Sequence, residues 1–110
     1  MIDKKLKDRI FHRIDSYVDD MINLQISLTG IPALSPDNQG AGEKEKADFL
    51  HQYLIQAGFS DIAEINAPDH RVPSGCRPNL LVCCPGKNTQ RKIWILTHTD
   101  IVPPGEIGLW

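Results

Sequence analysis

Between residues 4 and 28, apolar side chains recur at Leu6, Ile10, Ile14, Val18, Met21 with Ile22, Ile26 and Leu28. Steps of three and four put these on one face of a helix. The pattern therefore predicts one long amphipathic helix with a buried stripe, widened by Phe11 and Tyr17. Gly30 and Pro32 supply the stop. Residues 31–42 are dense in Pro, Gly, Asn and Ser and read as an exposed loop. A second helix is expected over residues 43–57, with Ala47, Leu50, Leu54 and Ala57 on one face. Glu43 and Glu45 lie in its first turn, where carboxylates suit the helix dipole, and Gly58 ends it.

The period then changes. Residues 61–67 alternate imperfectly and predict an edge or half-exposed strand, and residues 68–78 predict a second loop. Residues 79–84 and 92–97 are continuously apolar, the pattern of strands covered on both faces. The short, turn-rich link between them favours antiparallel neighbours. Two helices followed by a buried sheet give an α/β layered domain. Residues 101–110 form a Pro/Gly loop directly after the last apolar run, so the expectation is a domain that is truncated there.

Composition narrows the function classes. A chain of 110 residues with 41% hydrophobic and 24% charged residues suits one small globular domain. A formal charge of −2 gives no single-sign field for nucleic acid or an anionic membrane, and no aromatics are interleaved with a basic groove. Lys4, Lys5, Lys7 and Arg9 alternate with Asp3 and Asp8 as a solvated helix face. No run has the length of a signal peptide or membrane span, so the expected compartment is the cytoplasm. Cys76, Cys83 and Cys84 fit no disulfide framework, and Cys83 and Cys84 read as small apolar strand residues.

The candidate chemistry lies at His98 and Asp100, immediately after the second apolar run. Residues two apart in an extended chain face the same side. A carboxylate there can accept the N–H of one imidazole nitrogen and leave the other free for a metal. The spacing alone fits a structural hydrogen-bonded pair as well as a metal site. His12 and His51 lie on expected helices without a spaced partner ligand. His70 and Cys76 could approach His98 only if the intervening loop folded over. Gly40 and Gly42 lack the strand and Lys-Ser/Thr context of a phosphate loop.

A family resemblance adds to this reading. It is carried by Arg77-Pro78-Asn79-Leu80-Leu81-Val82 and by the block from Ile93 through His98-Thr99-Asp100-Ile101-Val102-Pro103-Pro104-Gly105-Glu106, with Trp110 after it. These segments resemble the aminoacylase, carboxypeptidase G, acetylornithine deacetylase and succinyl-diaminopimelate desuccinylase family of zinc metallopeptidases. The long first helix, residues 31–36, Gly42-Glu43 and Ala57-Gly58-Phe59 agree in order and spacing. The resemblance covers nearly the whole chain and about the first quarter of a typical member.

What the resemblance implies is the N-terminal part of a three-layer catalytic domain spanning residues 1–110, with two helices, then strands of a mixed sheet, and without the family's lid or dimerisation domain. His98 would bind one of two zinc ions, with cobalt or manganese as alternatives, and Asp100 would orient His98. The family's bridging aspartate, its glutamate pair with the general base, and its further ligands fall beyond Trp110, so Glu106 is not the base. The substrates implied are small N-acyl amino acids or short peptides; charge and composition, as above, give no expectation of a nucleic-acid or membrane partner, and the oligomeric state is open. Two rival readings remain open: a catalytically silent fragment, and a small α/β binding module in which His98 and Asp100 are structural.

Overall fold

The computed structural model describes residues 3–88 and 90–109 and divides into two compact units, Met1–Ile31 and Pro32–Trp110. Trp110, part of the block quoted above, lies outside the described residues. Among the described residues, no helix is long and apolar enough to cross a membrane.

The first unit holds two helices where one was expected: α1 (Lys4–Asp15) and α2 (Val18–Gly30). The Asp3 carboxylate caps α1 by accepting from the Lys5 N–H. The break falls at Ser16 and Tyr17. Ser16 turns its hydroxyl back onto the Arg13 carbonyl at 2.7 Å, and the Tyr17 N–H bonds Ile14, a tighter step than the α-helical one. Tyr17 then starts α2, with Asp19 and Asp20 in its first turn. The periodicity missed this break because the apolar spacing runs unaltered across it. The stripe itself is also not buried: Ile10 is 43% and Ile26 65% exposed.

In the second unit, residues 32–42 are irregular as expected, with a 3₁₀ turn at Pro36–Asn38, but the loop is not exposed throughout: Ala33, Ser35 and Gly42 are buried, because the segment packs under the hairpin tip and the start of the next helix. Helix α3 (Lys44–Gln56) follows. At its end the Gly58 N–H bonds the Ile55 carbonyl and the Phe59 N–H bonds Leu54, the Schellman closure, with Gly58 at φ 94°. Ala47 is buried on α3, and Leu50 and Leu54 are half-buried. Ala57, placed on the same face from its spacing, is exposed because the helix has ended there.

Residues 61–83 make an interrupted antiparallel hairpin. Strand β1 (Ile62–Glu64) pairs with β4 (Leu80–Val82), and β2 (Ala67–Pro68) pairs with β3 (Cys76–Arg77) inside it. Reciprocal bonds between Ile65 and Asn79 and the Asp69 N–H to Gly75 bond keep one register from base to tip. In that register Pro68 and Pro78 fall on the positions that alternate with the hydrogen-bonded pairs. Their missing N–H groups therefore remove no rung of the ladder. Much of the segment read as a loop over residues 68–78 is thus the top of a hairpin.

Two strand expectations need correction. In β4, Leu80 and Val82 are half-buried while Leu81 is exposed, so one face is covered and not both. Cys83 and Cys84 lie beyond the strand and are exposed, not packed. Residues 93–96 have no strand partner among the described residues, and Ile93, Trp94, Ile95 and Leu96 are 93%, 66%, 87% and 89% exposed. The partner of β4 is β1. The architecture is mixed α/β all the same: three helices, then small antiparallel ladders.

The buried residues are few. Among the described residues, Ala33, Ala47 and Val72 are the buried apolar side chains, joined by Gly42, Ser35, Glu43 and Lys46. They come from the segment after α2, the first turns of α3 and the hairpin tip.

Candidate metal centre

The chain reaches the candidate site in extended form, and one contact fixes where it arrives. The Ile101 N–H donates to the Ala33 carbonyl at 3.0 Å, and Leu34 and Ile101 form a parallel bridge. Ala33 is fully buried, so residues 98–101 are tied at their C-terminal end to the most enclosed backbone of the unit.

Just before this tie, His98 turns back onto Asp100. Its Nδ1 lies 3.0 Å from the Asp100 carbonyl oxygen and 3.1 Å from Asp100 Oδ1. Both partners are acceptors, so Nδ1 carries the proton and donates to them. In the neutral ring Nε2 then holds the free lone pair. The His98 side chain is 81% exposed, leaving Nε2 accessible. This is the geometry by which a carboxylate prepares an imidazole for a metal.

The residues fit one metal ligand and its orienting carboxylate. A catalytic zinc ordinarily takes three protein ligands. Among the described residues no group of three or more His, Cys, Asp and Glu side chains is gathered for a metal. Within the second unit, His51, His70 and Cys76 are therefore not gathered with His98 into such a group among the described residues.

Behind the site lies a charge network that the sequence did not announce. Arg77 on β3 donates through Nε to Glu43 Oε2 at 2.5 Å and through Nη2 to Glu43 Oε1, a two-pronged pair. Glu43 was expected to serve the dipole of α3. It does stand at the helix start, but its carboxylate makes no capping bond and is spent on Arg77. Arg71 forks onto Asp69, Nε to Oδ1 at 2.9 Å and Nη2 to Oδ2 at 2.8 Å, and reaches Asp37 at 2.8 Å. Arg77 Nη1 stands 3.8 Å from Asp69 Oδ2.

Hydrogen bonding to Asp69 lifts the Arg71 guanidinium above its ordinary range, and the same bonds hold the Asp69 carboxyl well below the usual carboxylate range. Arg77 is raised chiefly by its bond to Glu43, with burial opposing and attraction to Glu43, Asp69 and Asp100 adding to it. Glu43 and Arg77 are 34 residues apart, and no periodicity or spacing links them. The one available signal was Arg77 standing at the head of the Arg-Pro-Asn-Leu segment.

No family model and no solved structure matches the chain. Curated relatives do. An uncharacterized metallohydrolase of Methanococcus maripaludis is 33% identical over 102 residues, covering 86% of this chain and 24% of that protein. An uncharacterized metallohydrolase of Methanocaldococcus jannaschii is 29% identical over 97 residues, covering 84% of this chain and 23% of that protein. The chain is thus similar to archaeal metallohydrolases, and it spans about a quarter of the length of these relatives.

Proposed function

We propose that this chain carries the first metal-binding element of a metal-dependent hydrolase that cleaves amide bonds of N-acyl amino acids or short peptides at a two-zinc site. One observation carries the reading: the His98 Nδ1–H donates to Asp100 while Nε2 stays free and exposed. The similarity to metallohydrolases over most of the chain supports it. The amide substrates and the zinc pair rest on the resemblance of residues 77–82 and 93–106 to the aminoacylase and carboxypeptidase G family.

In this reading His98 binds the metal through Nε2, and Asp100 holds the proton on Nδ1 and fixes the ring plane. When bound, the metal pair supplies Lewis acidity toward the scissile carbonyl. The tie between Ile101 and Ala33 keeps both residues in place. A purely structural role is a poor match for this pair. A hydrogen bond stabilises most where it satisfies buried groups, and His98 is 81% exposed.

The test is hydrolysis by the full-length protein of a panel of N-acyl amino acids and dipeptides, before and after chelation. Activity that chelation removes and zinc restores supports the proposal. Amide hydrolysis indifferent to chelation refutes it.

A further inference from the structure

Cysteine is among the most buried residue types, because its thiol packs as a small apolar group. Here two adjacent cysteines, Cys83 and Cys84, both stand exposed as free thiols. The metal-ligand reading of His98 makes no use of either.

The hairpin sets the pair at a particular peptide. The Cys83 N–H donates to the Asp61 carbonyl at 2.9 Å, just past the end of β4. Among the described residues, neither the Cys83 carbonyl nor the Cys84 N–H makes a backbone hydrogen bond. The peptide joining the two cysteines is therefore the first one beyond the ladder, and no rung holds it. Pro85 follows, which keeps Cys84 extended and brings no N–H of its own.

That placement decides what the two sulfurs can do. Ordinary disulfides join Cα atoms about 4.4–6.8 Å apart, whereas neighbours across a trans peptide stand about 3.8 Å apart. A bond between adjacent cysteines closes a small ring only if the peptide between them twists. Inside a ladder that twist would break rungs, and here it breaks none. Cys76 does not compete for either sulfur. It stands in the same continuous register as Cys83, roughly 20 Å along the strand direction, too far for a disulfide.

We propose that Cys83 and Cys84 form a reversible dithiol–disulfide modification site for small disulfide oxidants, independent of the metal-ligand reading. One cysteine thiolate attacks a sulfur of the oxidant, forming a mixed disulfide and releasing the oxidant's other half as a thiolate. The neighbouring thiolate then attacks the cysteine sulfur of that mixed disulfide and displaces the remaining half. The Cys83–Cys84 S–S bond forms and the oxidant's S–S bond breaks. Two electrons pass to the oxidant's sulfurs, which also take up the two thiol protons. The small ring carries strain, so reduced thiol reopens it.

The test exposes the native full-length protein to oxidised glutathione, quenches with acid and an alkylating reagent, and maps the unreduced peptides by mass spectrometry. The peptide carrying Cys83 and Cys84 should be lighter by two hydrogen atoms and carry neither glutathione nor alkyl group. Reduced glutathione should return it to the doubly alkylated form. Cys83→Ser and Cys84→Ser each replace one exposed thiol by a hydroxyl, a change the fold tolerates. Each should trap glutathione on the remaining cysteine, and wild type should release it at least tenfold faster than either variant.

Wild type that retains glutathione as long as the single variants overturns the proposal. So does a disulfide from Cys83 or Cys84 to any other cysteine. Thiols of the folded full-length protein that react with neither glutathione disulfide nor the alkylating reagent overturn it as well.

Discussion

Gly42 joins the segment that holds Ile101 to the helix that carries Glu43, so its replacement by Ala probes the frame behind the site. Gly42 has φ 87°, where a Cβ costs about 1–2 kcal/mol. A Cβ there would also sit 3.0 Å from Val72 Cγ1, and Val72 is only 4% exposed. Overpacking of this kind adds about 1 kcal/mol when one buried methyl must yield. Ala also restricts the unfolded chain, which returns roughly 0.5 kcal/mol. The expected net loss for Gly42→Ala is about 2 kcal/mol.

Gly58 supplies the control. It has φ 94°, but a Cβ there meets nothing within 4 Å. Gly58→Ala should therefore cost only the backbone part, about 1 kcal/mol. Urea unfolding followed by far-ultraviolet circular dichroism measures both. A cycle with Val72→Ala isolates the contact, because removing Cγ1 should bring the cost of Gly42→Ala down to that of Gly58→Ala. Equal costs for the two glycines, or no coupling to Val72, would refute the reasoning.

Further outcomes follow from the same structure. Glu43→Ala leaves Arg77 without the partner of its fork and should destabilise the second unit by about 3 kcal/mol, read as a lower urea midpoint. Asp69, whose carboxyl is depressed by Arg71, contributes stability that is present above its unfolded value of about 4 and lost as pH falls through the lower folded value. The stability difference between wild type and Asp69→Asn should accordingly be constant near neutrality and shrink below about pH 4, and a difference that grows on acidification contradicts this. Ile95 is 87% exposed, so Ile95→Thr should change unfolding free energy by less than about 0.5 kcal/mol while reducing self-association seen by light scattering.

Local pattern was legible where local forces decide. The second predicted helix appears within a residue of its expected ends because Gly58 closes it through its own backbone bonds. The half-exposed strand at residues 61–67 appears as β1 and the start of β2. What the pattern could not supply was the identity of partners. The run at residues 93–96 has the composition of a covered strand, but cover comes from other segments, and here none pairs with it among the described residues. The hairpin register was hidden for a related reason. Pro68 and Pro78 look like loop residues unless one knows that they fall on the rungs that need no N–H.

At the candidate site, the contact between His98 and Asp100 was legible because both groups lie within three residues of each other. The Glu43–Arg77 fork was not, since its partners meet only after α3 and the hairpin have formed. The tie from Ile101 to Ala33 is equally long-range, and nothing in the residues themselves marks it.

The most direct test is the metal content of the full-length protein with and without His98→Ala, measured by mass spectrometry of the metal after exhaustive buffer exchange. The account predicts that wild-type protein retains zinc and that the variant loses at least one equivalent, with amide hydrolysis falling alongside. Unchanged metal content and unchanged hydrolysis in a folded His98→Ala protein would contradict it.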